Sequence, residues 1–187
     1  MDQRTLLYKD IATSSLAGEV ENAYAIIKKA ILGGKKILIF GNGGSAADAG
    51  HFAAELVCQF RKKRKALPAI ALTADSSILT AQSNDFGFET VFSRQIEAFA
   101  EEGDIAIGFT TSDASEEDTH SKNILLAFET AKTLKLNRIG FFSQKTKNLL
   151  SCVDASIIVP SGDTALIQEV HQAVIHIVCE LIEMNLV

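Results

Sequence analysis

Several residue types that define particular classes of protein are scarce in this chain. Its 187 residues include three cysteines, two prolines and no tryptophan. Cys58, Cys152 and Cys179 are far apart and form no Cys-x-x-Cys pair, which argues against a disulfide framework and against a thiolate zinc site. We therefore expect reduced thiols that lie mostly in the core.

Positive charge and long apolar runs are scarce as well. Eighteen Lys and Arg residues stand against 23 Asp and Glu, a net charge of −5, so no global positive field is available to hold nucleic acid or an anionic membrane. No continuous run approaches the roughly 20 apolar residues that a bilayer span requires, and residues 1–4 lack a signal-peptide pattern. We expect a cytosolic protein with no membrane or direct nucleic-acid partner, which binds any anionic ligand locally.

Strand-like and helix-like segments alternate along most of the chain, which has the length of one domain. After a helical extension at residues 1–34, short apolar runs at 35–40, 69–72, 105–109, 138–142 and 156–159 predict strands. Helices are predicted at 46–59 and 91–101, a further helix after residue 115 ends at about 134, and a long terminal helix begins at about 164. A polar loop is predicted after residue 72. The pattern predicts a single α/β domain over residues 1–187, a three-layer α/β/α sandwich with a doubly wound, mainly parallel five-stranded sheet.

Two loops after predicted strands suit an anion. In residues 41–45 the glycines permit close backbone approach, and Ser45 is predicted as both the helix N-cap and a phosphate ligand. The loop at 110–115 offers four hydroxyls at a second strand-to-helix turn. Ordinary turn chemistry explains either loop alone. Neither loop fits the P-loop pattern, because a Gly-Lys-Ser/Thr ending is absent.

A dinucleotide site is the weaker interpretation of the first loop. Gly41, Gly43 and Ala46 match a loose dinucleotide fingerprint, and the basic run at 61–65 could hold the 2′-phosphate of NADP. Cations after a helix end favour the helix dipole, so we interpret this run as solvated surface.

Polar residues form stripes on two predicted helices. Asp48, His51, Glu55 and Gln59 recur at spacings of three and four, and Gln168, Gln172 and His176 recur at four. At ~100° per residue, His176 lies about 80° from Gln168 around its helix, whereas His171 lies about 140° from His176.

These stripes offer a candidate set of metal ligands. Two His, one Glu and one amide oxygen, from His51, Glu55, Gln168 and His176, could hold a divalent metal ion. For His51 and Glu55 alone, pairing on the helix surface is the simpler alternative. We interpret His171 as a packed histidine or a contact with another surface.

Four segments resemble phosphoheptose isomerases: GNGGSAADAGHFAAEL at 41–56, NDFGF at 84–88, FSRQ at 92–95 and IQEVH at 167–171, with a further VIH ending at His176. The resemblance extends from about residue 33 to 183. It implies the SIS fold and the interconversion of sedoheptulose 7-phosphate and D-glycero-D-manno-heptose 7-phosphate, early in ADP-heptose synthesis for lipopolysaccharide. It also implies a homotetramer whose sites neighbouring subunits complete, and one Zn²⁺ per subunit.

The resemblance further implies a role for each matching residue. Glu55 and His176 match the acid/base pair, and the zinc set is His51, Glu55, Gln168 and His176. The positions that match the substrate-binding set are Asn42, Gly43, Gly44, Ser45, Glu55, Asn84, Asp85, Thr110, Thr111, Ser112, Ser115 and Gln168.

The chain departs from this family at several points. Asp113 stands where glycine is usual and puts a negative charge beside the proposed phosphate. Gln59 replaces a common arginine, residues 116–123 resemble an acidic insertion, and a glycine-rich turn is missing at 143–148. Two alternatives therefore stay open: a non-catalytic relative like DiaA, which binds the replication initiator DnaA, and a sugar-phosphate-sensing module acting through a partner.

Overall fold

The computed structural model describes residues 2–114 and 121–186. Helices and strands alternate in this part of the chain, as the sequence predicts. The helices are α1 (Gln3–Thr13), α2 (Leu16–Leu32), α3 (Gly44–Val57), α4 (Ser76–Phe86), α5 (Ser93–Phe99), α6 (Lys122–Thr133) and α7 (Thr164–Asn185), and the strands are β1 (Ile37–Gly41), β2 (Ala69–Ala71), β3 (Ile105–Phe109), β4 (Asn137–Ser143) and β5 (Ala155–Val159).

The five strands form one parallel sheet in the order β2-β1-β3-β4-β5. Parallel neighbours need crossover helices, which cover both faces and bury the central strands completely. The strand order reverses direction between β1 and β3. Ligands of doubly wound sheets bind at such a switch point, beyond the carboxyl ends of the strands.

Alternate side chains of the strands enter two separate cores. Ile37 and Ile39 of β1 pack with α2, α3 and α7 on one face, and Leu38 and Phe40 pack with α5 and α6 on the other. Two-sided burial explains why the strands are continuous apolar runs instead of alternating ones. The predicted fold class is confirmed.

The two N-terminal helices differ in how they pack. Val20, Ala23 and Ile27 of α2 are buried in the core, and the Glu19 carboxylate accepts a hydrogen bond from the Ile158 N–H at 2.7 Å, which ties α2 to the edge strand β5. Helix α1 buries Leu7 and is otherwise largely exposed. Helix α2, the second helix of the predicted extension, is therefore part of the helical layer that covers the sheet.

Helix α4 lies where the sequence predicted a polar loop, and that prediction is wrong. The Asp75 carboxylate caps the helix by accepting hydrogen bonds from the Ser77 and Ile78 N–H groups. No residue of α4 is buried, so the sequence shows no helical hydrophobic period for this segment. The cap determines where the helix begins.

Helix α7 is long and apolar enough to cross a membrane by length and composition, with 44% of its most apolar 18-residue window buried in the structure. Val170, Val174 and Val178 lie in the core of the domain. Its other side carries polar residues that contact α3, as described below. We therefore assign α7 as a core helix.

All three cysteines are free thiols, as predicted. Cys179 is buried in α7, and burial raises its pKa to about 12, with the nearby charge of Glu55 adding to the rise. Cys58 is exposed at the end of α3. Cys152 is half-buried, so the expectation of mostly core thiols holds for Cys179 alone and is wrong for Cys58.

Candidate active site

An open cavity of about 660 Å³ lies at the carboxyl ends of β1 and β3, at the switch point of the sheet. The two loops that the sequence singled out meet there. Its walls also come from the turn before α5 and from the first turns of α6 and α7. The lining residues are Asn42, Gly43, Gly44, Ser45, Phe88, Glu89, Phe109, Thr110, Thr111, Ser112, Ser121, Lys122, Asn123, Thr164 and Gln168.

The first loop turns sharply into α3. Gly43 has a φ of +55°, a conformation that favours glycine, and it holds the N-cap position. Ser45 lies buried in the first turn of the helix, so its predicted role as the N-cap is wrong. The Gln168 amide packs against Gly44 so closely that a Cβ there would come within 3 Å of it. The N-terminus of α3 and its backbone N–H groups thus face the cavity beside Gln168.

The second loop presents a cluster of hydroxyl groups. The Thr110 hydroxyl donates to the Ser112 carbonyl at 3.1 Å, and the Ser112 hydroxyl lies 3.1 Å from that of Ser121. The Thr111 hydroxyl lies 3.4 Å from that of Thr164 on α7. Ser115, the remaining predicted ligand of this loop, falls outside the described residues.

A reciprocal amide pair joins the first loop to the start of helix α6. The Asn42 amide donates to Asn123 at 2.9 Å, and the buried Asn123 amide donates back at 2.8 Å. Asn42 was a predicted substrate ligand, whereas its partner Asn123 was not singled out. The pair fixes the separation of the two walls of the cavity.

Asp113 does not line the cavity, contrary to the concern raised by the sequence. Its carboxylate accepts hydrogen bonds from the Asn148 N–H at 3.1 and 3.0 Å and from the Leu149 N–H at 3.4 Å. Burial opposes its ionisation, but these N–H groups outweigh that effect and hold the pKa of Asp113 below its usual range. The negative charge of Asp113 therefore stabilises the turn after β4 through these backbone N–H groups.

Lys122 is a cavity residue that the sequence reasoning missed. It begins α6 and is the one cationic side chain among the described residues that line the cavity. Within residues 2–114 and 121–186, no hydrogen bond or ion pair engages its ammonium group. Lys122 lies within the segment at 116–123 that the sequence indicated as an acidic insertion, so its positive charge was not recognised as a candidate for ligand binding.

The polar stripes of α3 and α7 face each other along the seam between the helices. Gln168 meets Gly44, Gln172 donates a hydrogen bond to Asp48, and the Nε2 atoms of His176 and His51 lie 2.9 Å apart. The two helices run parallel here, so spacings of three and four place partners opposite each other at each turn.

Glu55 lies beside His51 at the far end of the seam. Its Oε1 lies 3.6 Å from His51 Nε2, and the His51 and Glu55 side chains are 37% and 21% exposed. A carboxylate near two imidazoles, each partly open to solvent, is suited to proton transfer.

Asp48 is a buried carboxylate in the middle of the seam. Burial raises its pKa, while the hydrogen bond from Gln172 and the proximity of His51 oppose that shift. Its Oδ2 has no hydrogen-bond partner within the described ranges. The role of Gln172 as its donor was not predicted from the sequence.

His171 is a packed histidine, which confirms one of the two predicted interpretations. Its ring contacts Phe109 and Phe141, and its Nε2 lies 3.2 Å from the Phe142 carbonyl oxygen. Burial lowers its pKa to about 4. It takes no part in the seam.

The predicted metal ligands are only partly assembled. The described residues contain no preformed group of three or more His, Cys, Asp or Glu able to hold a metal ion. Two imidazole nitrogens on one zinc ion would lie roughly 3.3 Å apart, however, which is close to the 2.9 Å between His51 and His176. Gln168 lies about 12 Å from His176 along α7, against Gly44. The donor chemistry of the two histidines and Glu55 fits zinc, whereas Gln168 is not gathered with them.

Asn84 and Asp85 are exposed in the last turn of α4, where the Asn84 amide donates to Asp85 at 2.8 Å. Neither residue lines the cavity, although Phe88 at its rim is only a few residues away. Their role in substrate binding stays a prediction.

The basic run at 61–65 does not line the cavity either, so the structure offers no support for an NADP phosphate site. Its interpretation as solvated surface is wrong for Arg64, whose side chain is 3% exposed and paired with Glu183.

Comparison with known proteins relates the chain to a group of sugar-phosphate enzymes. Residues 3–143 match the family described as the SIS domain. The phosphoheptose isomerase of Geobacter metallireducens is 50% identical over 157 residues, which cover 84% of this chain and 80% of that protein. That of Geobacter sulfurreducens is 45% identical over 171 residues, which cover 91% of this chain and 87% of that protein. The solved structure of a phosphoheptose isomerase from Francisella tularensis superposes with a TM-score of 0.89 at 33% identity, covering 97% of this chain and 93% of that chain.

Proposed function

The chain belongs to the phosphoheptose isomerase family of SIS-domain proteins, and from that premise we propose that it interconverts sedoheptulose 7-phosphate and D-glycero-D-manno-heptose 7-phosphate. One observation of its geometry carries the proposal. A cavity of hydroxyls and helix N-termini lies at one end of the α3–α7 seam, and Glu55 with two histidines lies at the other. The first suits a phosphate and the second suits proton transfer at carbon.

The distance between the two ends fits a long sugar phosphate. Gln168 at the cavity and His176 at the histidine pair are two helical turns apart, about 12 Å. From phosphorus to C2 of a heptulose 7-phosphate there are seven bonds, or roughly 8 to 9 Å at about 1.2 Å per bond of extended chain. A triose phosphate spans less than half of this distance. The geometry therefore favours a substrate that reacts five carbons away from its phosphate.

The proposed chemistry uses Glu55 at carbon and His176 at oxygen. Glu55 removes a proton from C1 of the ketose, and the electron pair of that C–H bond forms the C1=C2 bond of an enediol. His176 moves a proton from O1 to O2. Return of the Glu55 proton to C2 then leaves an aldehyde at C1. The presence of both groups in one cluster favours an enzyme over a non-catalytic adaptor.

The same cluster is our proposed zinc site. His51, Glu55 and His176 would hold the ion, with Gln168 as a ligand only after movement of its side chain from Gly44. A bound Zn²⁺ supplies a Lewis acid beside the carbonyl oxygen. Equilibrium dialysis of the purified protein with Zn²⁺ tests the site, and the His51→Ala variant should bind the ion more weakly.

The phosphate ligands are part of the proposal. The N–H groups at 43–45, the hydroxyls of Thr110, Thr111 and Ser112, and the Lys122 ammonium would surround the phosphate dianion. The remaining predicted ligands, including Asn84, Asp85 and Ser115, are proposed to contact the sugar or its phosphate within the assembled enzyme.

We further propose a cytosolic homotetramer whose neighbouring subunits complete each site, in the pathway to the ADP-heptose of lipopolysaccharide. Exposed apolar side chains support the assembly, since Phe88 lines the cavity, Phe86 ends α4, and Ile177 and Met184 lie along α7. Light scattering of the purified protein gives the oligomeric state, and a monomer would contradict this proposal.

The decisive experiment is to incubate the purified protein with sedoheptulose 7-phosphate, with and without Zn²⁺, and to follow heptose 7-phosphate formation. We expect conversion. Folded, zinc-loaded protein that converts nothing would refute the function, and a parallel pull-down with DnaA would then test the adaptor alternative.

A further inference from the structure

The segment after α3 folds onto the end of α7 around one buried carboxylate, that of Glu183. Its Oε1 accepts a hydrogen bond from the Phe60 N–H at 3.0 Å, and its Oε2 accepts from the Arg61 and Lys62 N–H groups at 2.9 Å each. Burial opposes ionisation, but these N–H groups and the Arg64 guanidinium outweigh it and lower the pKa of Glu183. Three consecutive N–H groups on one carboxylate fix the backbone of the turn.

Arg64 connects this carboxylate to the helix that carries Glu55. Its Nε donates to Glu183 at 3.2 Å, and both side chains are 3% exposed. Its two terminal nitrogens donate to the Leu56 carbonyl at 2.8 Å and to the Glu55 carbonyl at 2.6 Å. These carbonyls belong to the last turn of α3, where helical partners run out. Arg64 therefore caps α3 at the backbone of Glu55.

The turn held by Glu183 also reaches His176. Phe60 stacks on the His176 ring with centroids 5.4 Å apart and an interplanar angle of 23°. The Arg61 guanidinium lies 4.8 Å from the centroid of the Phe60 ring. The position of the Phe60 ring against the imidazole thus depends on the same backbone that the Glu183 carboxylate binds.

We propose that Glu183 and Arg64 are positioning residues of the isomerase site, which hold Glu55 through its carbonyl group and His176 through the ring of Phe60. This inference rests on the proposed function, since it concerns the two residues assigned to proton transfer. Neither Glu183 nor Arg64 lines the cavity. A shift of about 1 Å in a reacting group lowers a rate by roughly 100-fold, so such a support affects turnover without contacting substrate.

Steady-state kinetics of matched variants test the proposal. In Glu183→Gln, Arg64→Lys and Phe60→Leu, we expect kcat to fall at least tenfold while KM for the sugar phosphate changes less than threefold. Phe60→Tyr keeps the aromatic ring, so its kcat should stay close to that of the unmodified protein. The control is Glu180→Gln, the same substitution on the same helix, because the one contact of the Glu180 side chain among the described residues is an exposed pair with Arg61 at 2.7 Å. Each assay is run well below the thermal midpoint of that variant.

A second readout does not depend on activity. In spectra of protein labelled at histidine, the stacked Phe60 ring should shield the ring protons of His176. Glu183→Gln and Phe60→Leu should both remove this shielding, and Glu180→Gln should preserve it. If Glu183→Gln fails to fold, Arg64→Lys and the Phe60 variants provide the comparison.

The outcomes separate the inference from the function. Unchanged kcat in Arg64→Lys and Phe60→Leu overturns the inference, and so does an effect confined to KM. If the unmodified protein shows no turnover, the proposed function fails, and the spectra then test the positioning role. Loss of the His176 shielding in Glu183→Gln supports that role, and unchanged resonances refute it. If Glu183→Gln does not fold, Arg64→Lys gives the same comparison.

Discussion

Glu55 is the residue on which the proposed chemistry depends most directly. Its carboxylate is one-fifth exposed and lies 3.6 Å from His51 Nε2, at the open end of the α3–α7 seam. A carboxylate in this position can accept a proton from carbon, whereas an amide of the same shape cannot. The residue can therefore be tested without disturbing the packing.

In Glu55→Gln we expect kcat to fall by roughly 10² to 10⁴, the usual contribution of general acid–base catalysis. Binding of inorganic phosphate, measured by titration calorimetry, should stay within twofold of the unmodified protein because the cavity is elsewhere. Turnover close to normal in this variant would remove Glu55 from the role of base.

Lys122 is expected to set affinity instead of rate. Replacing it by methionine removes the one cationic side chain among the described residues of the cavity. A charge-assisted hydrogen bond contributes about 1.5–3 kcal/mol, so KM for the sugar phosphate should rise about tenfold or more with little change in kcat. Lys132→Met, in the last turn of the same helix, is the control. Equal KM values for the two variants would contradict the assignment.

The seam between α3 and α7 is the element that joins the two halves of the site. Its polar contacts recur at each turn because both helices carry polar residues at spacings of three and four on facing sides. Gly44, which has no side chain, permits the close approach of the Gln168 amide. Close contact between Gly44 and Gln168 keeps α3 and α7 near enough for His51 and His176 to contact each other.

Two glycines of α3 make a matched test of this seam. Gly44→Ala forces the flexible end of the Gln168 side chain to move and should lower the free energy of unfolding by no more than about 1 kcal/mol, the low end of the cost of overpacking. At Gly50 a Cβ meets nothing within 4 Å among the residues that the structure describes, so Gly50→Ala should raise stability by roughly 0.5–1 kcal/mol through helix propensity. Urea unfolding of both variants measures these changes. Equal effects of the two substitutions would show that the seam is not tightly packed at Gly44.

The whole molecule should lose stability in acid because of a residue outside the active site. His171 is buried as the neutral imidazole, with a pKa of about 4 in the folded protein against an ordinary value of 6.5. Between these pH values the unfolded chain binds a proton that the folded chain does not. The free energy of unfolding should therefore fall as the pH decreases from about 6.5 to about 4, by about 3 kcal/mol in all.

The comparison that isolates this effect is His171→Leu, which keeps an apolar side chain in the same space. Its stability should decrease less steeply over that pH window, whatever its stability at neutral pH. Chemical unfolding at intervals of half a pH unit gives both curves. Parallel curves would show that another group is responsible.

Much of the molecule was predictable because the signals are local. Buried parallel strands are apolar runs wherever they occur, and all five were recognised from the sequence. The glycines at 41–44 predicted a loop where the backbone approaches a ligand, and helical spacing separated His176 from His171. Helix α4 escaped prediction because its exposed surface leaves no hydrophobic period.

The sequence by itself determined the fold class, the two cavity loops and the polar stripes of α3 and α7, because strand burial, glycine turns and helical periodicity act over a few residues. Only the tertiary structure decided the contacts between distant segments. It turned Asp113 toward the Asn148 backbone, paired Asn42 with Asn123, placed Gln168 on Gly44 instead of beside His176, and buried Arg64 against Glu183. Such contacts join residues tens to more than a hundred positions apart, and they depend on how the helices pack on the sheet, which no local pattern records.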